Sequence, residues 1–247
     1  MLERVPTGIT GLDTLLEGGI PRERLFLLAG ACGSGKSIFG MQFIYKGATE
    51  YKEPGVFVTF DEPPERIRED MSTFGWNIHD LEKNDLIAIV DASSARAGAP
   101  STEEHALMPG ELDFDKVIID ILGVARRIGA KRLVIDSVPA MGLQVDEHQI
   151  RRNILKLSYV LAKAGITSIL TTEIPEQLDR VTQLSKYGIE EFVVDGVFVL
   201  GFIPSGDKPL RTLHVRKMRA TKHDMGIHPM EITNKGMVVK KREDAFK

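Results

Sequence analysis

The chain has 247 residues, 43% of them hydrophobic and 27% charged, with a net charge of −3. That length and apolar content suit one large α/β domain over 1–247 with a full core, and the mild acidity argues against a surface that binds nucleic acid throughout, although a local basic patch stays open. The single cysteine, Cys32, excludes an internal disulfide and is compatible with a reducing cytoplasm; no apolar run reaches the length of a membrane span, and Met1-Leu2-Glu3-Arg4 lacks the layout of a signal peptide.

In chain order, Thr10 reads as a helix N-cap, with Asp13 three residues on and Leu12, Leu15 and Leu16 on one face; Gly18-Gly19 ends that helix. Leu25 to Ala29 is a short apolar run suited to a buried strand, and Ile38 to Tyr45 is apolar nearly all round, as a buried helix is. Gly55 to Phe60 predicts a second strand. Pro63-Pro64 opens a helix with Ile67, Met71 and Phe74 at helical spacing, stopped by Gly75. Leu86 to Val90 is a third strand. Residues 92–112 are small, polar and acidic and read as a long surface loop. Val117, Ile118, Ile121, Leu122 and Ala125 mark a helix closed by Gly129, and Arg132 to Asp136 is a fourth strand. Ile150, Ile154, Leu157, Leu161 and Ala164 trace a helix closed by Gly165. Ile166 to Thr172, Gly196 to Phe202 and Arg211 to Met218 are strands, the last two joined by the turn Pro204 to Pro209. Strands alternating with helices, followed by a hairpin-rich tail, predict a mostly parallel central sheet with an antiparallel C-terminal extension.

Between the first strand and its helix stands Gly30-Ala31-Cys32-Gly33-Ser34-Gly35-Lys36-Ser37, the P-loop pattern in the strand–loop–helix context that it requires. Glycines let backbone N–H groups close around phosphate oxygens, and the helix N-terminus adds partial positive charge. Lys36 is placed to reach the β- and γ-phosphates of a nucleotide and the Ser37 hydroxyl to bind Mg²⁺. Asp136 ends an apolar strand, the place of a Walker-B carboxylate that manages Mg²⁺ beside Ser37. Asp61-Glu62 ends a strand read as two positions over. A carboxylate there can orient a water in line with the leaving oxygen, or it is a solvated helix entry. Thr171-Thr172-Glu173 ends a further strand, so these residues should face the γ-phosphate side, since ligands of open α/β sheets gather at strand C-termini. Lys217 and Arg219 alternate on an extended segment, which aims both to one face. They read either as a clamp for developing phosphate charge or as a charged strand edge. The six histidines show no metal spacing; Cys32 reads as a small filler of a free loop position; and Met71, Phe74 and Trp76 read as core.

Taken together, the P-loop, Gly55 to Glu62, Phe74-Gly75-Trp76, Thr171-Thr172-Glu173, Tyr187 to Asp195 and Lys217-Met218-Arg219-Ala220-Thr221-Lys222-His223 resemble the KaiC family of RecA-like ATPases, from about Arg4 to Val239. The chain is similar to the single-domain members of that family found in archaea and some bacteria. The resemblance implies ATP and Mg²⁺ at subunit interfaces of a ring, commonly a hexamer. It implies that the acids before Pro63 are catalytic; the family usually has Glu-Glu, so Asp61 is one methylene shorter. It implies that Lys217 and Arg219 reach the γ-phosphate bound by the neighbouring subunit, and that His223 lies near the shared nucleotide. One departure stands out. The second domain of the family's clock proteins phosphorylates itself on a Ser-Thr pair, whereas Met141 to His148 here holds neither residue, so a circadian role is not expected.

The leading reading is thus a Mg²⁺-dependent ATPase acting as a ring for an unidentified protein partner. One alternative is a RecA-related nucleic-acid binder whose affinity ATP sets. Arg151, Arg152, Arg180 and Lys186 would face the strand, with Asp146, Glu147, Glu176 and Asp179 diluting their charge. The other alternative is a nucleotide-state switch with negligible turnover.

Overall fold

The computed structural model describes residues 2–108, 113–141, 147–174, 184–204 and 208–241. The N-terminal half holds strands β1 (Arg4–Val5), β2 (Ile20–Pro21), β3 (Leu25–Gly30), β4 (Gly55–Thr59) and β5 (Ile87–Asp91), and helices α1 (Lys36–Glu50), α2 (Pro64–Ser72), α3 (Ile78–Lys83), α4 (Ser93–Ala97) and α5 (Phe114–Arg127). The second half holds β6 (Arg132–Asp136), α6 (Glu147–Lys163), β7 (Thr167–Glu173), α7 (Glu190–Val193), β8 (Gly196–Ile203), β9 (Leu210–Met218), β10 (Ile227–Thr233) and β11 (Gly236–Val239).

The main sheet has nine strands in the order β11-β10-β9-β8-β3-β7-β6-β4-β5. From β8 to β5 all neighbours are parallel, while β9, β10 and β11 add antiparallel. This is the mixed α/β architecture that the alternation of strands and helices predicts, with its antiparallel extension. Each central strand is apolar on both sides because helices cover both faces. Leu25, Leu27, Val56, Val58, Leu133 and Ile135 pack with the apolar faces of α5 and α6. Phe26, Leu28, Phe57, Val134 and Ile169 pack with α1 and α2. Helix α1 lies close on the sheet because Gly40 has no side chain; a Cβ there would sit 2.8 Å from Val134. Among the described residues no helix is long and apolar enough to cross a membrane.

Several local expectations change. Thr10 is not a helix cap: it bridges Val238, and only a 3₁₀ turn, Asp13–Leu16, follows, with Leu12 at its N-cap position. Asp13 instead accepts hydrogen bonds from the Thr7 N–H and hydroxyl. The strand ending at Asp61-Glu62 lies three positions from β3 rather than two, and it neighbours β6 directly. The stretch 92–112 is not one long loop. Its described part carries α4, and Asp91 ties that helix down by accepting from the Ser93 N–H and hydroxyl, the Ser94 N–H and the Ser101 hydroxyl. Arg68 fixes the same stretch to α3 by paired bonds to Glu82 and Glu103. The remaining residues of that stretch, 109–112, and the turn residues 205–207 lie outside the described residues.

Arg132, at the start of β6, is fully buried. Its guanidinium donates to the Phe43 carbonyl at 2.9 Å, pairs with Glu53 at 2.7 Å and lies over the Phe43 and Tyr51 rings. Burial works to push the Glu53 carboxyl up, yet Arg22 and Arg132 hold it below the usual carboxylate range. Removing one partner of such a pair leaves an uncompensated charge in the core. Arg132→Met is therefore expected to cost about 3 kcal/mol in a urea unfolding experiment, and Arg132→Met/Glu53→Gln to recover much of it. A single variant as stable as the wild type would show that Arg22 alone satisfies Glu53.

Candidate active site

The parallel strands deliver the candidate residues to one end of the sheet. Gly30 pairs with Glu173, and Thr59 pairs with both Asp136 and Asp91. The loops following β3, β4 and β6 therefore open side by side, at the edge where open α/β sheets bind ligands.

Gly30 closes β3, and a Cβ on it would meet the Ser34 hydroxyl at 2.5 Å and the Leu200 carbonyl at 3.0 Å. The loop then turns through Gly33 and Gly35, both in the left-handed region, and Gly35 is the N-cap residue of α1. Ser34 is buried and donates to the Ala31 carbonyl at 2.8 Å, which holds the loop in a closed curve. Cys32 is exposed on the rim. The Lys36 ammonium folds back and donates to the carbonyls of Gly30 and Ala31, each at 3.0 Å. A triphosphate offers these N–H donors stronger, charged acceptors than carbonyls.

The Ser37 hydroxyl donates to Asp136 Oδ2 at 2.6 Å, across the gap between α1 and the tip of β6. The other Asp136 oxygen accepts from the Thr171 hydroxyl. Burial pushes the Asp136 carboxyl up, against the Ser37 and Thr171 hydroxyls and the Lys36 charge. Oxygen donors of this kind suit Mg²⁺: Ser37 and Asp136 already stand together, and Thr171 orients the carboxylate. Among the described residues no group of three or more His, Cys, Asp and Glu is placed to hold a metal ion.

Beside Asp136, the Asp61 carboxylate accepts from the Ser137 hydroxyl at 2.8 Å and forms an ion pair with Arg96. Glu62 differs. Its backbone is fixed by Thr59, whose hydroxyl donates to the Glu62 carbonyl at 2.7 Å, but among the described residues no donor holds its carboxylate. Burial, then the charges of Asp70 and Asp136, push that carboxyl up from its ordinary value. Glu173 is exposed at the tip of β7, next to Gly30. Thr172 is buried and meets the Glu190 carboxylate and the Lys186 N–H rather than the P-loop. From the opposite side of the loop, Arg211 at the start of β9 donates to the Gly33 carbonyl at 3.4 Å.

Lys217 and Arg219 lie elsewhere. Met218 pairs with Gly196, which pairs with Phe26, at the far end of β3 from Gly30. The separation along the strand is about 13 Å, so neither cation completes its own P-loop. Both reach the segment 191–195. Lys217 donates to the carbonyls of Glu191 and Val194 at 2.9 and 2.7 Å, and Arg219 lies 3.5 Å from the Asp195 carboxylate. His223 stands close to the Thr221 carbonyl, and its Nε2 is buried without a hydrogen-bond partner.

Three contributors, Ser137, Arg96 and Arg211, leave no sign in the sequence, which assigns Thr171 to the γ-phosphate side rather than to the support of Asp136. Only Thr171 carried a signal, as a hydroxyl at a strand tip. Of the charges named for a nucleic-acid surface, Arg151 and Arg152 are exposed on α6. Asp146, Glu176, Asp179 and Arg180 lie outside the described residues, as do residues 142–146 of the stretch compared with the phosphorylated pair.

Comparison with known proteins agrees with this geometry. A family model described as "ATPase: KaiC" matches residues 5–244. The circadian clock oscillator protein KaiC of Parathermosynechococcus lividus is 39% identical over 232 residues, covering 94% of this chain and 41% of that protein. The chain thus spans about two-fifths of the length of that clock relative. A UPF0273 protein of Aeropyrum pernix is 39% identical over 241 residues, covering 97% of this chain and 94% of its own length. The crystal structure of a KaiC-like protein from the hyperthermophilic archaeon Pyrococcus horikoshii OT3 superposes with a TM-score of 0.82 at 41% identity, covering 98% of this chain and all of the other. The phosphate loop, the hydroxyl and carboxylate beside it, and the match over almost the whole length lead to one conclusion: the chain belongs to the KaiC family of ATPases.

Proposed function

We propose that the chain, as one domain over 1–247, binds ATP with Mg²⁺ and hydrolyses it at the interfaces of a ring of identical subunits. The observation that carries this reading is the contact between Ser37 and Asp136, which joins a P-loop to a strand-tip carboxylate. The loop N–H groups and Lys36 hold the triphosphate. Ser37 and Asp136 hold Mg²⁺, which draws charge from the phosphate oxygens when bound. Glu62, unheld and with raised basicity, accepts a hydrogen bond from the attacking water and takes its proton. Glu173 lines the γ-phosphate side with Thr172 behind it. Lys217 and Arg219 act on the neighbour's γ-phosphate, with His223 close by; their distance from their own P-loop supports a role in trans. The family resemblance implies a ring that is commonly of six copies. The ring would work in a reducing cytoplasm on a protein partner, whose identity follows from nothing in the site.

The trans role has a direct test. A Lys36→Ala subunit keeps its cationic pair, and a Lys217→Ala/Arg219→Ala subunit keeps its P-loop. Each alone is expected to be nearly inactive. Mixed under exchange, with assembly checked by sedimentation, they are expected to recover activity through hybrid interfaces that hold one intact half of each kind. Hybrids that assemble without recovering activity, or a double-cation variant with wild-type turnover, would remove Lys217 and Arg219 from the mechanism.

A further inference from the structure

Arg96 belongs to none of the motifs above, yet it reaches the reacting edge of the sheet. It lies in α4, the short helix after β5; Asp91 accepts three hydrogen bonds from Ser93 and Ser94 at the helix start and a fourth from the Ser101 hydroxyl beyond its end. Those bonds hold the Asp91 carboxyl below its usual range despite burial. An anchored helix gives Arg96 a defined origin. From there its guanidinium pairs with Asp61 Oδ1, while the Ser137 hydroxyl holds Oδ2 at 2.8 Å. Both oxygens of Asp61 are thus engaged, one from the tip of β6 and one from α4. Two adjacent carboxylates are set apart by this arrangement, because among the described residues Glu62 has no donor to its carboxylate. The charges facing Glu62 are Asp70 and Arg66 of α2, Asp136 of β6 and Asp61 itself.

We propose that Arg96 is a positioning residue for ATP hydrolysis: with Ser137 it clamps Asp61 against the tip of β6, fixing the turn that presents Glu62 and cancelling a negative charge beside the triphosphate. The inference rests on the ATPase reading of the site. Arg96 acts through Asp61 and touches neither the phosphates nor the water. Without it, Asp61 is free to swing toward the attacking water and to repel the γ-phosphate as charge moves onto the bridging oxygen. The pair is partly exposed, with side-chain exposures of 37% and 49%, so solvent screens it and the effect is moderate.

The experiment measures kcat, ATP affinity and melting temperature for the wild type, Lys36→Ala, Arg96→Gln, Arg96→Lys, Asp61→Asn and Asp61→Asn/Arg96→Gln, all as full chains. Arg96→Gln is expected to lower kcat about tenfold while ATP affinity stays within about twofold, and Arg96→Lys to restore most of the loss. In the Asp61→Asn background, Arg96→Gln is expected to change nothing further. Wild-type kcat in Arg96→Gln, an equal loss of affinity, failure of Arg96→Lys to restore kcat, or the same tenfold loss in both backgrounds would overturn the proposal. Where Asp61→Asn leaves too little turnover to compare, the Gln and Lys variants decide between themselves. Wild-type turnover that does not depend on Lys36 would overturn the ATPase reading and this inference with it, whereas Lys36-dependent turnover with any of the contrary results overturns this inference alone.

Discussion

Replacing Lys36 with alanine is expected to weaken ATP binding by about a hundredfold or more and to abolish measurable turnover. A hundredfold in affinity is about 2.7 kcal/mol, within reach of the charge-assisted hydrogen bonds that a lysine makes to phosphate. The Lys36 ammonium donates to the Gly30 and Ala31 carbonyls, so alanine also removes two bonds that hold the loop's curve. A fold effect and a binding effect are separable. The melting temperature without nucleotide reports the first, and titration calorimetry with ATP reports the second. Affinity within about threefold of wild type would remove the P-loop from the account, because the site would then draw well under ~1.4 kcal/mol from the loop's lysine.

The acidic pair carries the next largest effect. Asp61→Asn/Glu62→Gln is expected to bind ATP normally and to hydrolyse it about a hundredfold more slowly or worse, the scale of a positioned general base. Glu62→Gln alone is expected to account for most of that loss, since its carboxylate is the free one while Asp61 is held by Ser137 and Arg96. The pH dependence follows from the same geometry. Burial and the neighbouring Asp70 and Asp136 charges raise the Glu62 carboxyl, so it takes a proton at a pH where an ordinary glutamate remains ionised. A protonated Glu62 cannot accept the proton of water. Turnover should therefore be intact above the raised value and fall as pH drops through it, with an acid limb displaced upward from the ordinary glutamate range. Phosphate release measured across pH gives the profile. Wild-type rates in the double variant would move the catalytic water to Glu173, the exposed carboxylate beside Gly30.

The fold was legible where covalent pattern and local period dominate. The P-loop, the buried strands and the long helices α1, α5 and α6 follow from apolar spacing and glycine placement, whereas the lateral place of the strand before Asp61 and the turn of Thr172 toward Glu190 do not. What escaped depends on contacts between segments far apart in sequence. Helix α3 is too short to show a period, and only Asn77, whose side chain accepts from the Asp80 N–H, marked it. The pairing of β11 with the P-loop helix depends on Gln42, a buried polar residue that exchanges hydrogen bonds with the Met237 backbone. In the sequence it looks like an ordinary helix-surface glutamine. Thr10 shows the reverse error: a capping pattern was present, but bridging to Val238 outweighed it. The site divides in the same way. Its glycines, Lys36 and Ser37 form one local pattern and Asp136 closes a strand legible by itself, whereas Arg96 and Ser137 acquire meaning only once β4, β5 and β6 lie side by side.

The placement of Lys217 and Arg219 at the opposite end of the strands from Gly30 has a geometric corollary. If these cations serve a neighbour's P-loop, the end of one subunit that carries Gly30 meets the end of the next that carries Lys217 and Arg219, a contact between unlike patches that repeats in one direction. Such a contact would run head to tail and would have a direction, like links in a chain. Any open row then wastes a half-site at each extremity: one P-loop without cations and one pair of cations without a P-loop. Closure into a circle alone gives every nucleotide a complete set. On this geometry, specific activity becomes a measure of closure, rising with each added link and reaching its ceiling only when the last subunit meets the first.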